Sequence, residues 1–263
     1  MKKHRWFAAL AAMVMVLAVA GCSDGSSGNE FATGSSGGSG NSSGTGNSRV
    51  DYSKCAVGDF VLKDGTMLPK DITLTDTQKS NVAAVIVRAA ADGKPALGVG
   101  IVHSKSGLAW CGSKAAGYYK TLTDLQGDTK TGYMDGSDGW EKLKAACSDA
   151  ESHPNWDYPA WNYSLTYAEK NSLKGDLATG WYFPTVAELY TIYQNITAVH
   201  ASLSKAGGST FGTNSYWSCC QYSNSNIGAI YWNFSEGYMA GDDKTNGGVS
   251  WNYHYVCSVR AFN

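Results

Sequence analysis

Charge is scarce in this chain: only 16% of its residues are Asp, Glu, Lys or Arg, and 21 basic residues stand against 22 acidic ones for a formal net charge of −1. Without a basic face there is no counterion release to drive phosphate binding, so nucleic acid is excluded as an ordinary partner. The chain has no C-x-x-C and no H-x-x-x-H pair, the spacings that most often hold zinc, so no metal or other cofactor is expected. G-x-S-x-G occurs only within the Gly/Ser-rich residues 21–44, not as an elbow between strand and helix, which leaves His103, His153, His200 and His254 packing or surface histidines rather than catalytic bases. Leu is absent after Leu203, so the tail must build its core from something else. What the chain does have is 263 residues with 43% apolar character. That is too apolar for disorder and too long for a disulfide-held miniprotein, and one well-cored domain is expected.

Lys2, Lys3 and Arg5 head an apolar run from Trp6 to Ala20, shorter than the roughly 20 residues of a bilayer-spanning helix. The run reads as an export signal over 1–21. It ends in Leu17-Ala18-Val19-Ala20-Gly21-Cys22, a pattern similar to a bacterial lipobox, in which Cys22 is lipidated and becomes the N-terminus. Acyl chains contribute about 0.8 kcal/mol per buried methylene, so Cys22 would hold the chain to a membrane without a spanning helix. Residues 23–48 are almost wholly Gly, Ser, Asn and Thr, with little to bury. The stretch 22–49 is therefore expected to be a flexible tether, with a coil dimension of about 30 Å. These features predict an exported bacterial lipoprotein at the outer membrane and cell surface.

Six further cysteines remain: Cys55, Cys111, Cys147, Cys219, Cys220 and Cys257. In an oxidising compartment they allow fifteen pairings, none of which sequence selects. The vicinal Cys219 and Cys220 suit a double staple poorly, because adjacent side chains leave the backbone in different directions.

The globule should occupy 50–263. Phe60–Leu62 and Thr66–Leu68 around Asp64-Gly65 carry a hairpin signature. Residues 82–87 and 96–102 are rich in β-branched residues and read as strands, although the first could equally be a helix following Asp76. A helix is predicted from Ser137-Asp138-Gly139 with Trp140, Leu143 and Cys147 on one face, stopping before Pro154. A stronger one starts at Thr185, where Thr185-x-x-Glu188 is a capping box and Leu189, Ile192, Tyr193, Ile196 and Val199 repeat at helical spacing up to Gly207-Gly208. Residues 156–181 read as loop with short elements.

The tail interleaves Trp217, Trp232, Trp251 and many tyrosines with Ser, Asn and Gly. Rigid aromatic area with adaptable polar neighbours is the composition of a binding paratope. Ile230–Phe234 and Tyr255–Val259 alternate like short strands, with 240–249 as a Gly-rich loop. Trp217, Phe234 and Phe262 are expected in the core, since a tail poor in aliphatics must bury its aromatics.

Gly180-Trp181-Tyr182-Phe183-Pro184-Thr185-x-x-Glu188-Leu189, Tyr216-Trp217-Ser218, Asn233-Phe234-Ser235-x-Gly237 and Val259-Arg260-Ala261-Phe262 together resemble the C-type-lectin-fold variable proteins diversified by retroelements. The resemblance runs from about Asp135 to the C-terminus. It implies an α+β, C-type lectin-like fold with short mixed β-sheets, two main helices and long loops, and a region of about 216–258 rewritten by error-prone reverse transcription at adenines. By position, the framework would be Trp217, Asn233, Phe234, Gly237, Arg260 and Phe262. The ligand-contacting face would be Cys219, Cys220, Gly228, Tyr231, Trp232, Glu236, Tyr238, Asp242, Asp243, Trp251, Tyr253 and His254, with the two cysteines as surface thiols.

The same fold family includes formylglycine-generating enzymes, but Cys219-Cys220 and Cys257 do not reproduce their spaced cysteine pair. Asp242-Asp243 could contribute to a calcium site, yet such a site wants six to eight oxygens, and the sugar-binding tripeptides of calcium-dependent lectins are missing. A solvated acidic loop is the expectation there. The expected function is non-enzymatic display of a ligand-binding surface, in a monomer, toward a protein or glycan on another cell or host. A fixed-specificity lectin-like adhesin is the alternative.

Overall fold

The computed structural model of the chain describes residues 50–246 and 254–263. The expected signal at 1–21, Cys22, the tether, Trp251 and Tyr253 lie outside the described residues. The architecture is α+β, with strands β1 (Phe60–Leu62), β2 (Met67–Leu68), β3 (Val82–Arg88), β4 (Ala96–Gly100), β5 (Trp181–Tyr182), β6 (Ser215–Gln221), β7 (Gly228–Asn233), β8 (Tyr238–Asp243), β9 (His254–Tyr255) and β10 (Val259–Phe262). They form two sheets. The first is antiparallel throughout in the order β2-β1-β3-β4-β10-β5, and the second is mixed in the order β8-β7-β6-β9, with β6 and β9 parallel.

The hairpin around Gly65 forms as expected, with Phe60 opposite Leu68 and Gly65 at φ +88. The ambiguity before Gly93 resolves into both alternatives in sequence. Thr75 and Gln78 make a capping box for α1 (Asp76–Asn81), and the β-branched run that follows becomes β3. Six of the seven β3 residues are buried, because this strand has neighbours on both sides and packing on both faces. In β4 the absence of a side chain at Gly100 makes room for the Tyr167 ring, which a Cβ there would overlap.

Helix α2 (Gly139–Ala146) ends well before Pro154, with Leu143 and Cys147 buried. The aromatic stretch after it holds three short helices, α3 (Pro154–Asp157), α4 (Pro159–Leu165) and α5 (Tyr167–Lys170). The predicted long helix from Thr185 is two: α6 (Val186–Gln194) and α7 (Ile196–Lys205). The break is at Asn195, whose side-chain amide donates to the carbonyls of Val87 and Thr191, both at 3.1 Å. Anchoring to β3 thus competes with helix continuation. Helix α6 packs on β3, β6 and β7, and its Val186, Leu189 and Ile192 are fully buried, which contributes about 1.5–3 kcal/mol for each.

Two tail expectations are corrected. Residues 240–243 belong to β8, which pairs along β7 from Tyr238 opposite Asn233 to Asp243 opposite Gly228; the predicted loop begins only after it. Tyr255–Val259 is no single strand. Tyr255 ends β9 in the second sheet and Val259 starts β10 in the first. Between them Val256 exchanges backbone and side-chain bonds with Ser104, and Ser258 O accepts from Gly100 N at 2.9 Å, so the buried link is satisfied by the 100–104 segment rather than by a ladder.

Candidate functional site

The β7–β8 hairpin owes its shape to the Asn-Phe-Ser-x-Gly sequence. Asn233 Oδ1 accepts from the amides of Ser235 at 2.9 Å and Glu236 at 3.1 Å, and the Gly237 amide closes on Asn233 O at 2.9 Å. Gly237 sits at φ +71 against the Tyr193 ring, where a side chain would be strained and obstructed. Phe234 turns inward onto Phe211, Tyr216 and Tyr193. Each motif residue therefore has a local structural task.

Directly opposed residues of an antiparallel pair share a face. Tyr231 opposes both Trp217 and Ala240, and Asp242 opposes Ala229. On this face Trp217 is fully buried, donating from Nε1 to Leu108 O at 2.8 Å. Tyr231 is half-buried and stacks on His254, with centroids 4.1 Å apart. His254 Nε2 meets Asp242 Oδ2 at 2.9 Å, and Asp242 Oδ1 also accepts from Asn246 Nδ2 and the Asp243 amide. Burial pushes the His254 pKa down against the pull of Asp242. Tyr238 is 41% exposed, and Glu236 stands exposed in the turn.

The structure thus brings Tyr231, Glu236, Tyr238, Asp242 and the edge of His254 onto one surface. It withdraws others from it. Cys219 and Cys220 are wholly buried, correcting the expectation of surface thiols; the register shift in β6 between Trp217 and Gln221 leaves both side chains inside, with Cys220 beneath Tyr133. Trp232 is only 3% exposed because Tyr190 and Tyr193 of α6 close over it. Gly228 is buried against Tyr222 and Ser225, and His254 is itself 3% exposed. Asp243 points to the Tyr118 hydroxyl, which donates to it at 2.9 Å. Burial acts to raise the Asp243 pKa, but the bonds from Thr245 and Tyr118 outweigh it and hold the carboxyl below its ordinary range. The acidic pair is part of a strand with bonded carboxylates, not a solvated loop.

Sequence reasoning passed over Lys244. It is fully buried, its ammonium donating to Gly117 O and Asn226 O at 2.7 Å each and lying 5.1 Å from the Trp110 ring centre. Burial lowers its pKa to about 8. The available signal was its isolation: Lys244 and Arg260 are the only Lys or Arg after Lys205.

No described thiol is set up as a nucleophile. All six are unpaired and buried, and burial raises Cys111 to about 12 and moves Cys55, Cys147, Cys219 and Cys257 upward as well. A thiol held protonated attacks poorly. His103 is likewise sealed in, bonded to the Tyr216 hydroxyl at 2.9 Å, with burial lowering its pKa to about 3. Among the described residues no group of three or more His, Cys, Asp or Glu is placed to hold a metal ion. A cleft of about 310 Å³ opens on the first sheet, against Val50, Tyr52, Ala90, Pro95 and Phe262, and none of the candidate residues lines it.

Comparison of the sequence with protein-family profiles and with curated proteins returns no match.

Proposed function

We propose that this chain is a surface-displayed lipoprotein with a C-type lectin-like domain, diversified by a retroelement, that binds varied protein or glycan partners through the β7–β8 face without catalysis. The observation that carries this reading is a division of labour within one sheet. Trp217, Asn233, Phe234 and Gly237 are committed to core or turn, while Tyr231, Glu236, Tyr238 and Asp242, interleaved with them, meet solvent. Sequence can change at the second set at lower cost in folding energy than at the first, because substitutions at partly exposed sites remove fewer buried contacts. The burial of all six described thiols favours binding over chemistry. Cys22 and the Gly/Ser-rich stretch would tether the domain to a membrane.

Sequencing the locus from several isolates, together with its flanks, tests the proposal. The expected result is substitution concentrated at Tyr231, Glu236, Tyr238, Asp242 and the neighbouring 251–253, beside a reverse-transcriptase gene and a near-copy of the tail. Changes spread evenly over the chain, or concentrated at Trp217, Asn233 and Gly237, would overturn it.

A further inference from the structure

Three observations about the second sheet converge on one kind of partner. β8 is its terminal strand among the described residues, with one edge of its backbone unpaired by any described strand. Natural edges are commonly guarded by proline, a bulge or an outward lysine. β8 has no proline and pairs with β7 in unbroken register, and the nearest lysine, Lys244, turns its ammonium inward onto carbonyls.

The charge on this surface is of one sign. Glu236 and Asp242 are its acids, and among the described residues the only basic group within 4.0 Å of either is His254. The two cations of the tail are committed elsewhere: Lys244 as above, and Arg260 to Thr179 O at 2.9 Å and Asp176 O at 2.7 Å. Residues 247–253 contain no Lys or Arg.

The carboxylates are set among aromatic rings. Asp242 and Glu236 both lie close enough to raise the pKa of the Tyr231 phenol electrostatically, behind the larger effect of its burial. Tyr238 stands exposed beside Tyr231. His254, largely buried beneath Tyr231, has no hydrogen-bond partner for Nδ1 among the described residues. Electron-rich ring faces next to carboxylates recognise ammonium and guanidinium groups, and a free strand edge recognises extended backbone.

We propose that β8 and the surface of Tyr231, Glu236, Tyr238 and Asp242 bind an extended basic segment of a partner protein, with its backbone added along β8 and its Lys or Arg side chains seated between tyrosine rings and carboxylates. This rests on the display reading above and names the partner chemistry of this chain's version of the surface. Binding of this kind weakens with salt, since partly exposed charges are screened.

Panning phage-displayed random dodecapeptides against the mature chain tests it. The expected result is enrichment of peptides with Lys or Arg at alternate positions, whose affinity falls roughly tenfold or more in the double variant Glu236→Gln, Asp242→Asn and falls as salt is raised. Both substitutions preserve shape, and matching melting curves confirm that the variant folds. Enriched peptides with no excess of basic residues that nonetheless lose binding in Tyr231→Ala, Tyr238→Ala overturn the cationic partner while leaving the display surface standing. Basic peptides whose affinity is unchanged by the charge-removing variant also overturn it. Peptides indifferent to both variants, or no enrichment over a bare support, overturn this inference and count against the display reading as well.

Discussion

The imidazole of His254 lies nearly parallel to the Tyr231 ring, 24° between planes. The contact joins a strand at the rim of the candidate surface to the point where the chain re-enters the second sheet, and Trp217 supports the imidazole from its other neighbours at 4.1 Å. Tyr231 thus rests on the core without being part of it.

That position separates two classes of tail aromatic. Trp217→Ala and Trp232→Ala should each lower the unfolding free energy by about 3–5 kcal/mol, as truncations of buried aromatics do. Tyr231→Ala, at a half-exposed site, should cost well under half as much. Urea denaturation of the three variants measures the difference, and equal losses would show that rim and core are wrongly divided.

Glu188 should make stability depend on pH. Its carboxyl is fully buried, accepting from Tyr182 Oη at 2.7 Å, Thr185 N at 2.8 Å and Gly136 N at 3.3 Å, and burial, opposed by these bonds, raises its pKa from 4.5 to about 7. The folded state therefore holds a proton that the unfolded chain has released between those two values. This group's contribution is fully present below pH 4.5, declines as pH rises toward 7 and is level above. The decline amounts to about 3 kcal/mol at roughly 1.4 kcal/mol for each pKa unit. Thermal melts across this range should show a slope that disappears in Glu188→Gln.

The thiols should be silent in the folded protein. Alkylation followed by peptide mass mapping is expected to leave Cys219 and Cys220 unmodified until denaturant is added, since both are wholly buried and reaction needs access to the sulfur. Rapid native labelling at either would restore them to the surface.

Lys244 should matter for stability although it lies among the candidate residues. Lys244→Met removes the ammonium that serves the carbonyls of Gly117 and Asn226, and each buried acceptor left without a donor costs about 1–3 kcal/mol. Calorimetry should find a loss larger than that of Asp242→Asn, and a smaller loss would mean that water reaches the site.

Much of this was legible in the residues. Thr185 and Glu188 announce a helix start because the capping box is a local arrangement, and Asp64-Gly65 announces a turn for the same reason. Nothing local announces Asn195, which breaks a well-patterned helix by reaching a carbonyl of β3 far away in sequence. The candidate surface was half legible: Tyr231, Glu236, Tyr238 and Asp242 follow from position in the family resemblance, whereas the strand that carries Asp242 was read as loop because its Ala-Gly-Asp-Asp sequence has no apolar alternation. The burial of Cys219, Cys220 and Trp232 depends on a β6 register shift and on α6 closing over the sheet, both long-range facts. Lys244 was missed because a charged residue beside two aspartates is ordinarily at the surface, and here carbonyls of two distant segments solvate it instead.

The final strand, β10, lies between β4 and β5 in the interior of its sheet, and it is reached only after the chain has left the other one. A polypeptide cut short before Val259, by a stop codon or a shifted reading frame, leaves both neighbours without their shared partner. Val259 and Phe262, both buried in that seam, would be lost with it, so an early stop anywhere in the candidate surface also removes part of the core of the other sheet.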